Sequence, residues 1–373
     1  MSLGKERLVR PTLLVPLVAA TLLASCTKLA GGAGGHDYIL TGARPDRLLV
    51  LDPVTRAVQS DFHIPEANGV IGAIVPSPDG RIAYVLVNRM ESVAGIDLAT
   101  GRQVFRADLS SPGERVKSMF AMDVTPDGRE LIVHELPTRL ERNEYRVEEP
   151  RFAVYSTSAG LNAKPERQFA APRRIHLILM KRDGRSFYAI GFELYEYDLQ
   201  TGALIAQRGI RSWELPNHSS PDMLAVWPVS EPSGIFVSPV YTEVQEPGSA
   251  QSPVARTALM SLDLRTGKLE YQDFEDTAAL IFSTVMSPVR PEAFGVYSQL
   301  TKIDTAHHKL AQRIKLAHTY YSVNLSTDGS EVYAGGAMCD VAIYDAATLK
   351  KKGDVRLPGC PDQVLSSLRV IHR

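Results

Sequence analysis

Two cysteines near the carboxyl end of the chain, Cys339 and Cys360, have a spacing that suits a disulfide. In an oxidising compartment the bond would close a loop of about twenty residues and stabilise the fold by ~3 kcal/mol. Two small buried thiols are the alternative. A zinc site is not indicated, because no further Cys or His stands at ligand spacing near either cysteine. We therefore predict a structural bond here.

The sequence lacks the short motifs that carry much hydrolytic and redox chemistry. It contains no G-x-S-x-G nucleophile elbow, no P-loop, no dinucleotide-binding fingerprint and no C-x-x-C-H haem-attachment motif. The adjacent His307 and His308 fall in a predicted surface turn, where a solvated pair is expected. We therefore predict that this chain carries no catalytic, cofactor-binding or metal-binding residue of its own.

Four aromatic residues are better candidates for function, since Tyr and Trp often contact ligands and partner proteins. Tyr320 and Tyr321 open a predicted inner strand, Trp213 lies in a predicted connection, and Trp227 lies on another predicted inner strand. We predict that these four residues line an interface or a ligand pocket. Core packing is the alternative, above all for Trp227 and Tyr320.

A repeated β pattern must position these residues. From Asp37 onward, seven copies contain runs of Val, Ile, Leu and Tyr. In most copies a Pro/Asp-Gly turn follows the first run, and an apolar run ending in Asp precedes a Thr-Gly pair. Asp accepts backbone N–H bonds in tight turns and Gly supplies a positive φ, so both are structural. The period of roughly 40 to 57 residues is typical of propeller blades.

The two ends of the pattern indicate the architecture. The first copy has three strands, and the chain finishes on one additional strand, VLSSLRVIHR. If this strand joins the first copy as its innermost member, seven four-stranded antiparallel blades close into a ring without exposed sheet edges. We therefore predict an all-β, seven-bladed β-propeller over residues 36–373. A pair of β-sandwiches, the alternative, would not explain a repeat that keeps its register.

The predicted inner strands line the central channel and are mostly apolar. Asp123 and His176 are ionisable side chains on them, and hydrogen bonding within the channel is the expected role of both. A metal-dependent lactonase or phosphatase needs several converging carboxylates, Asn or His, which these strands do not supply. Two polar insertions, residues 139–150 and 243–253, are predicted to be loops on one face of the ring.

Residues 1–35 form a separate predicted unit. Lys5, Arg7 and Arg10 precede a short apolar run at residues 11–24 that ends in small residues, as in an export signal. The sequence LASC around Cys26 resembles a bacterial lipoprotein box, which predicts lipidation of Cys26; ordinary cleavage near residue 24 or 30 is the alternative. A Gly-rich linker follows at residues 31–35. We therefore expect the folded part outside the cytoplasm.

The composition is that of an ordinary globular protein. Hydrophobic residues make up 44% and charged residues 22% of the chain, and the net charge is −1 with a pI of about 6.8. Because no basic stripe is present, nucleic acid is not an expected partner.

Four stretches of the sequence carry a more specific resemblance. HDYILTGARPDRLLVLD, ERVKSMFAMDVTPDGRELIVHE, SWELPNHSSPDMLAVW and HTYYSVNLSTDGSEVYAGGA resemble the β subunit of bacterial quinohemoprotein amine dehydrogenase. The resemblance extends from His36 to the last strand. Cys339 and Cys360 do not define that family, so their predicted disulfide rests on this sequence alone.

The resemblance implies a heterotrimer in the periplasm of a Gram-negative bacterium. In that family a small γ subunit carries a cysteine tryptophylquinone, and an α subunit carries two haems c. The β subunit is a seven-bladed propeller that holds γ and closes the pocket for a primary amine. Amines are oxidised to aldehyde and ammonia, and the electrons pass to haem. No catalytic residue is transferred to this chain, which is an enzyme only as part of the complex.

Two other classes of function stay open from the sequence. A stand-alone periplasmic binding propeller would share the fold and the export signal. A propeller lactonase or other hydrolase is the third class. Purification with haem-bearing and quinone-bearing chains would favour the subunit, whereas hydrolysis of lactones by the isolated chain would favour the hydrolase.

Overall fold

The structure is a computed structural model, and it describes residues 35–373 except residues 214, 225, 226, 228, 246, 249, 250 and 365. The predicted export signal and Cys26 lie outside the described residues. The only helical element described is a 3₁₀ turn, η1 (Gly160–Asn162). No helix in this part of the chain has the length and hydropathy to cross a membrane.

Thirteen strands from the first part of the chain belong to the first three blades. In chain order they are β1 (Asp37–Ala43), β2 (Arg47–Asp52), β3 (Ala57–His63), β4 (Ile74–Pro76), β5 (Ile82–Val87), β6 (Ser92–Asp97), β7 (Gln103–Asp108), β8 (Glu114–Lys117), β9 (Met122–Val124), β10 (Glu130–Leu140), β11 (Tyr145–Val147), β12 (Arg151–Ser156) and β13 (Arg167–Ala170). Inner strands are buried, whereas the outermost strand β3 alternates exposed and half-buried residues, as expected for the rim of a blade.

The remaining strands continue the same order to the carboxyl end. They are β14 (Leu177–Met180), β15 (Ser186–Ile190), β16 (Leu194–Asp198), β17 (Leu204–Arg208), β18 (Asp222–Met223), β19 (Ile235–Val244), β20 (Val254–Asp263), β21 (Leu269–Asp276), β22 (Ser283–Met286), β23 (Glu292–Val296), β24 (Gln299–Asp304), β25 (Lys309–Lys315), β26 (Ser322–Leu325), β27 (Glu331–Gly335), β28 (Asp340–Asp345), β29 (Lys351–Arg356) and β30 (Arg369–His372).

Strand pairing confirms the predicted seven-bladed propeller and its closure. Six sheets contain four antiparallel strands each, and the seventh, blade 3, has the path β9-β10-β12-β13 with β8 and β11 added to β10. In blade 1 the order is β30-β1-β2-β3, so the last strand is innermost, as predicted. The amide of His36 donates to the carbonyl of Arg373, and the amide of Arg373 donates back.

The recurrent Asp residues hold turns, as the sequence predicted. The carboxylate of Asp97 accepts the amides of Ala99 and Thr100 and the Thr100 hydroxyl, and Gly101 follows with φ of 71°. The hydroxyl of Thr100 and the amides lower the pKa of Asp97 because they stabilise its ionised form. The Asp, Thr and Gly residues of these turns therefore stabilise the backbone of the turn.

Apolar faces of neighbouring blades pack against each other to form the core. Between blades 3 and 4, the ring of Phe152 lies 5.1 Å from Phe187 and 5.2 Å from Tyr197 in edge-to-face contacts. Such aromatic pairs contribute about 0.5–1.5 kcal/mol beyond the area that they bury. The ring is therefore held by side-chain packing between blades and by hydrogen bonds within them.

Two predicted details are wrong. Residues 139–150, predicted to be a loop, contain the end of β10 and all of β11, which pair from Thr138–Val147 to Leu140–Tyr145. Among the described residues, the inner strand of blade 5, predicted to include Trp227, covers only Asp222 and Met223. The second insertion agrees better with its prediction, since β19 ends at Val244 and β20 begins at Val254.

Candidate partner-binding face

The order of strands gives the ring two faces. Each inner strand begins on the side where the previous blade ends, and the loops between second and third strands lie on that same side. We call it the connecting face. The turns that follow first and third strands lie on the opposite side, the turn face, where His36 and Arg373 also meet.

Exposed large hydrophobic side chains are concentrated on the connecting face. In the described part of the chain, that face presents Met119, Leu140, Tyr145, Val147, Phe192, Leu215, Val254, Leu280 and Met338. On the turn face, the exposed large hydrophobic residues that the structure describes are only Val54, Leu161 and Val289. Because exposed apolar surface concentrated on one side is typical of an interaction site, the connecting face is the candidate functional surface.

An aromatic patch lies at the entrances to the inner strands of blades 6 and 7. Phe282, Tyr297 and Tyr321 are half-buried, and the ring of Phe282 lies 5.6 Å from Tyr297 and 4.9 Å from Tyr321. Trp227 is 4% exposed and packs 5.2 Å from Phe282. We call Phe282, Tyr297 and Tyr321 the aromatic patch. Rigid aromatic rings on a packed support are typical of binding hot spots.

Tyr320 points the other way from Tyr321 and lies in the core. Core packing, the alternative to an interface role for Tyr320, is therefore what the structure shows. It is 1% exposed, and its hydroxyl donates to Asp340 Oδ2 at 2.8 Å. His318 Nε2 contacts the other oxygen of Asp340 at 2.8 Å. Burial and the neighbouring carboxylate raise the pKa of Tyr320, so its hydroxyl stays protonated.

The two tryptophans differ in their surroundings. Trp227 is buried, so it also belongs to the core. Trp213 is half-buried beside blade 5, where its ring meets Tyr271 edge-on at 4.7 Å and its Nε1 donates to the carbonyl of Ser219. Of the four aromatic candidates, Tyr321 is therefore the one that belongs to the patch.

Cys339 and Cys360 form a disulfide on the connecting face, with their Cα atoms 4.7 Å apart. The bond lies at the start of residues 357–368, the segment that leads from β29 to the closing strand β30. Gln363 in this segment accepts the Thr41 hydroxyl and donates to the carbonyl of Asp340. The disulfide and Gln363 thus fasten the closing segment to blades 7 and 1.

An ion pair crosses the central channel near the turn face. Arg369 Nε on β30 donates to Glu231 Oε1 of blade 5 at 2.8 Å, and Asn324 Nδ2 of blade 7 donates to the same oxygen at 2.9 Å. Arg369 also donates to the carbonyl of Ile74 in blade 2. These contacts join four blades across the axis.

Asp123 serves the channel wall, as expected. The carboxylate of Asp123 accepts the amides of Met180 and Val124, and burial raises its pKa to about 6. Burial also lowers the pKa of His176 to about 4, which keeps its imidazole neutral at pH 7. No group of three or more His, Cys, Asp or Glu side chains suited to a metal ion occurs among the described residues.

Sequence reasoning missed four residues that matter here. Phe282 and Tyr297 complete the aromatic patch. Both lie at strand ends where the apolar pattern of the strand continues, so in the sequence they look like ordinary strand residues. Arg369 and Glu231 belong to a terminal strand and a turn that are far apart in sequence. Only ring closure places these two side chains together.

The comparisons with known proteins support the fold. No known family profile matches the sequence, and no curated protein sequence matches it. A chain of Kuenenia stuttgartiensis hydrazine synthase matches the structure with a TM-score of 0.52 and 13% identity, over 84% of this chain and 90% of that chain. Dihydro-heme d1 dehydrogenase NirN in complex with DHE matches with a TM-score of 0.52 and 14% identity, over 89% and 74%. At such identities the similarity shows a shared fold alone, and the chain is a propeller protein of the same architecture.

Proposed function

We propose that this chain is the non-catalytic propeller subunit of an exported quinohemoprotein amine dehydrogenase. The observation that carries the proposal is the aromatic patch of Phe282, Tyr297 and Tyr321 on the face that concentrates exposed apolar side chains. Such a surface binds a protein better than it binds a polar substrate. The four quoted stretches of sequence supply the identity of the complex.

In the proposed complex, the other chains supply the redox chemistry. The γ subunit would provide the cysteine tryptophylquinone, and the dihaem α subunit would take the electrons from it. This chain would hold γ on its connecting face, with Tyr321 and its neighbours closing one side of the amine pocket. One protein of similar fold, NirN, is named a dehydrogenase, which is compatible with an oxidoreductase setting.

Purification of the tagged full chain from its native host tests the proposal. We expect a dihaem chain and a small quinone-bearing chain to accompany it, and a primary amine to reduce the haem in the purified complex. A chain that is recovered alone, without haem absorbance, would overturn the proposal. Hydrolysis of lactones by such an isolated chain would instead indicate a hydrolase, and ligand binding without hydrolysis would indicate a binding propeller.

A pair of variants locates the contact. Phe282→Asp together with Tyr321→Asp places charge in the aromatic patch and should remove at least nine-tenths of the accompanying chains. Val289→Asp is the matched control, because Val289 is 59% exposed on the turn face. Equal losses from both variants would show that the patch is not the contact.

Mass spectrometry of the mature amino terminus would also show whether Cys26 is lipidated.

A further inference from the structure

Blade 3 carries a three-stranded extension beyond its four-stranded blade. Beyond the blade proper, the end of β10 pairs with β8 on one side and with β11 on the other. We call these three strands, over residues 114–117, 136–140 and 145–147, the arm. The arm rises from the connecting face, since β8 lies in a blade connection and β11 lies between second and third strands.

Strand register sorts the side chains of the arm onto two faces, because directly paired residues in antiparallel strands point to the same side. Arg115, Thr138 and Val147 form one cross-strand row. Leu140 and Tyr145 form the next row on the same face. Leu140 is 42%, Val147 63% and Tyr145 79% exposed, so this apolar face of the arm is open to solvent.

The opposite face of the arm satisfies its own charges. Arg139 and Arg146 both contact Glu148, at 3.3 and 3.7 Å, and Arg151 contacts Glu114 at 3.2 Å. A surface that pairs its charges internally has little electrostatic reason to recruit a partner. The contrast between the two faces singles out the apolar one.

Positive charge borders the apolar face where it meets blade 2. Arg115 and Lys117 share one carboxylate, Glu91, at 2.6 and 3.4 Å. Arg89 is exposed beside them and forms no salt bridge in the part of the chain that the structure describes. Arg89, Arg115 and Glu91, with Asn88 and Asp108, line a cleft of about 460 Å³ between the arm and blade 2.

We propose that the apolar face of the arm, together with Arg89, binds an acidic and apolar segment of a partner protein. Tyr145, Val147 and Leu140 would cover apolar side chains of that segment, and its carboxylates would meet the excess positive charge. Charge complementarity favours an acidic segment over a neutral one. The inference rests on the proposed function, because it takes the chain to be a subunit of a complex, and it adds a contact separate from the aromatic patch.

Site-specific photo-crosslinking in the native host tests the proposal. A benzophenone amino acid replaces Tyr145 in the full chain, and the same amino acid replaces Arg146 as the matched control on the opposite face. We expect at least tenfold more adduct with a co-purifying chain from position 145. Peptide mass spectrometry of the adduct should locate it in a segment that contains Asp or Glu beside apolar residues.

A charge change supplies a second measurement. Arg89→Glu should lower the adduct yield from position 145 at least threefold, and Arg89→Lys should restore most of it. If partners co-purify, three results would overturn the inference while leaving the proposed function intact. These are equal adducts from both positions, no adduct, and an adduct only to a second copy of this chain. Recovery of the native chain without any partner would overturn both.

Discussion

At the scale of the residue, adjacent tyrosines have different roles because successive side chains at a strand point to opposite sides. Tyr320 enters the core and bonds to Asp340, whereas Tyr321 lies half-buried in the aromatic patch. Only one of the pair is therefore available to a partner. The distinction bears on stability as well as on binding.

Tyr320→Phe should lower the free energy of unfolding by about 1–2 kcal/mol, because it removes a buried hydrogen bond to a carboxylate. Tyr321→Phe is the matched control and should change stability by less than about 0.5 kcal/mol, since its hydroxyl has no hydrogen bond among the described residues. Urea denaturation of both variants measures the difference. Equal effects would mean that the Tyr320–Asp340 bond contributes nothing.

Asp123 makes the stability of the fold sensitive to pH. Its pKa is about 6 in the folded chain against an ordinary value of 3.8, chiefly because burial disfavours the ion. Between about pH 4 and pH 6 the folded chain therefore binds more protons at this site than the unfolded chain does. The contribution of Asp123 to stability consequently falls as the pH rises through that window.

Asp123→Asn should lower the free energy of unfolding by progressively less as the pH rises. The reason is that ionisation at position 123 destabilises the unsubstituted protein and cannot occur in the variant. The difference in unfolding free energy between the two chains should shrink by about 2–3 kcal/mol from pH 4 to pH 7. Asp127→Asn is the control of opposite sign, since the Thr125 hydroxyl lowers the pKa of Asp127. Its cost should grow as the pH rises towards the ordinary value of 3.8 and then stay constant. A difference for Asp123→Asn that does not vary with pH would contradict the argument.

At the scale of the element, the segment between β29 and β30 is held at both ends. The disulfide fastens it to the start of β28, and Ser366 Oγ accepts the amide of Gly42 in β1. A connection with these restraints presents β30 to β1 in the correct register. The disulfide therefore acts on the strand that closes the ring.

Cys339→Ser combined with Cys360→Ser should lower the free energy of unfolding by about 3 kcal/mol, because the unfolded chain regains the freedom of a loop of about twenty residues. A reductant should destabilise the native chain by a similar amount and leave the double variant unchanged. Thermal or urea unfolding with and without dithiothreitol measures both effects. Insensitivity of the native chain to reductant would show that the bond adds no stability.

The arm shows why some elements escape prediction from sequence. Its residues from Arg139 to Glu149 are largely charged, which is typical of a solvated loop, and the alternation of apolar and charged residues from Tyr145 to Val147 is too short to predict a strand. Strand formation depends instead on β8, which approaches from the preceding connection and pairs with β10. A pairing partner twenty residues away leaves no local signature.

At the scale of the whole molecule, the ring is closed twice. Main-chain bonds join β30 to β1 at the rim of the channel, and the Arg369–Glu231 pair crosses the channel to blade 5. Arg369 is 6% exposed, and Glu231 compensates its buried charge. Loss of Glu231 would leave the buried charge of Arg369 with less compensation, and loss of Arg369 would leave the half-buried Glu231 without its cation.

Arg369→Met should lower the free energy of unfolding by about 3 kcal/mol, because it removes the cation that pairs with Glu231 in the channel. Combined with Glu231→Gln in a double-mutant cycle, the two positions should couple by about 1–3 kcal/mol. Lys268 and Glu270 are the control, since their contact is equally short, 2.8 Å, but exposed. Their coupling should stay below about 0.5 kcal/mol. Equal coupling in both cycles would contradict a bracing role.

Local patterns in the sequence predict the blade repeat, the seven-fold count, the closing strand and the turn roles of the recurrent Asp and Gly residues. These features follow from local patterns, since strand periodicity and turn chemistry are properties of a few neighbouring residues. Tertiary structure alone decided that Tyr320 is buried, that Phe282 and Tyr297 complete the aromatic patch, and that Arg369 meets Glu231. Contacts across blades join residues whose separation in sequence carries no information about their distance in space, and the candidate surface is built from such contacts.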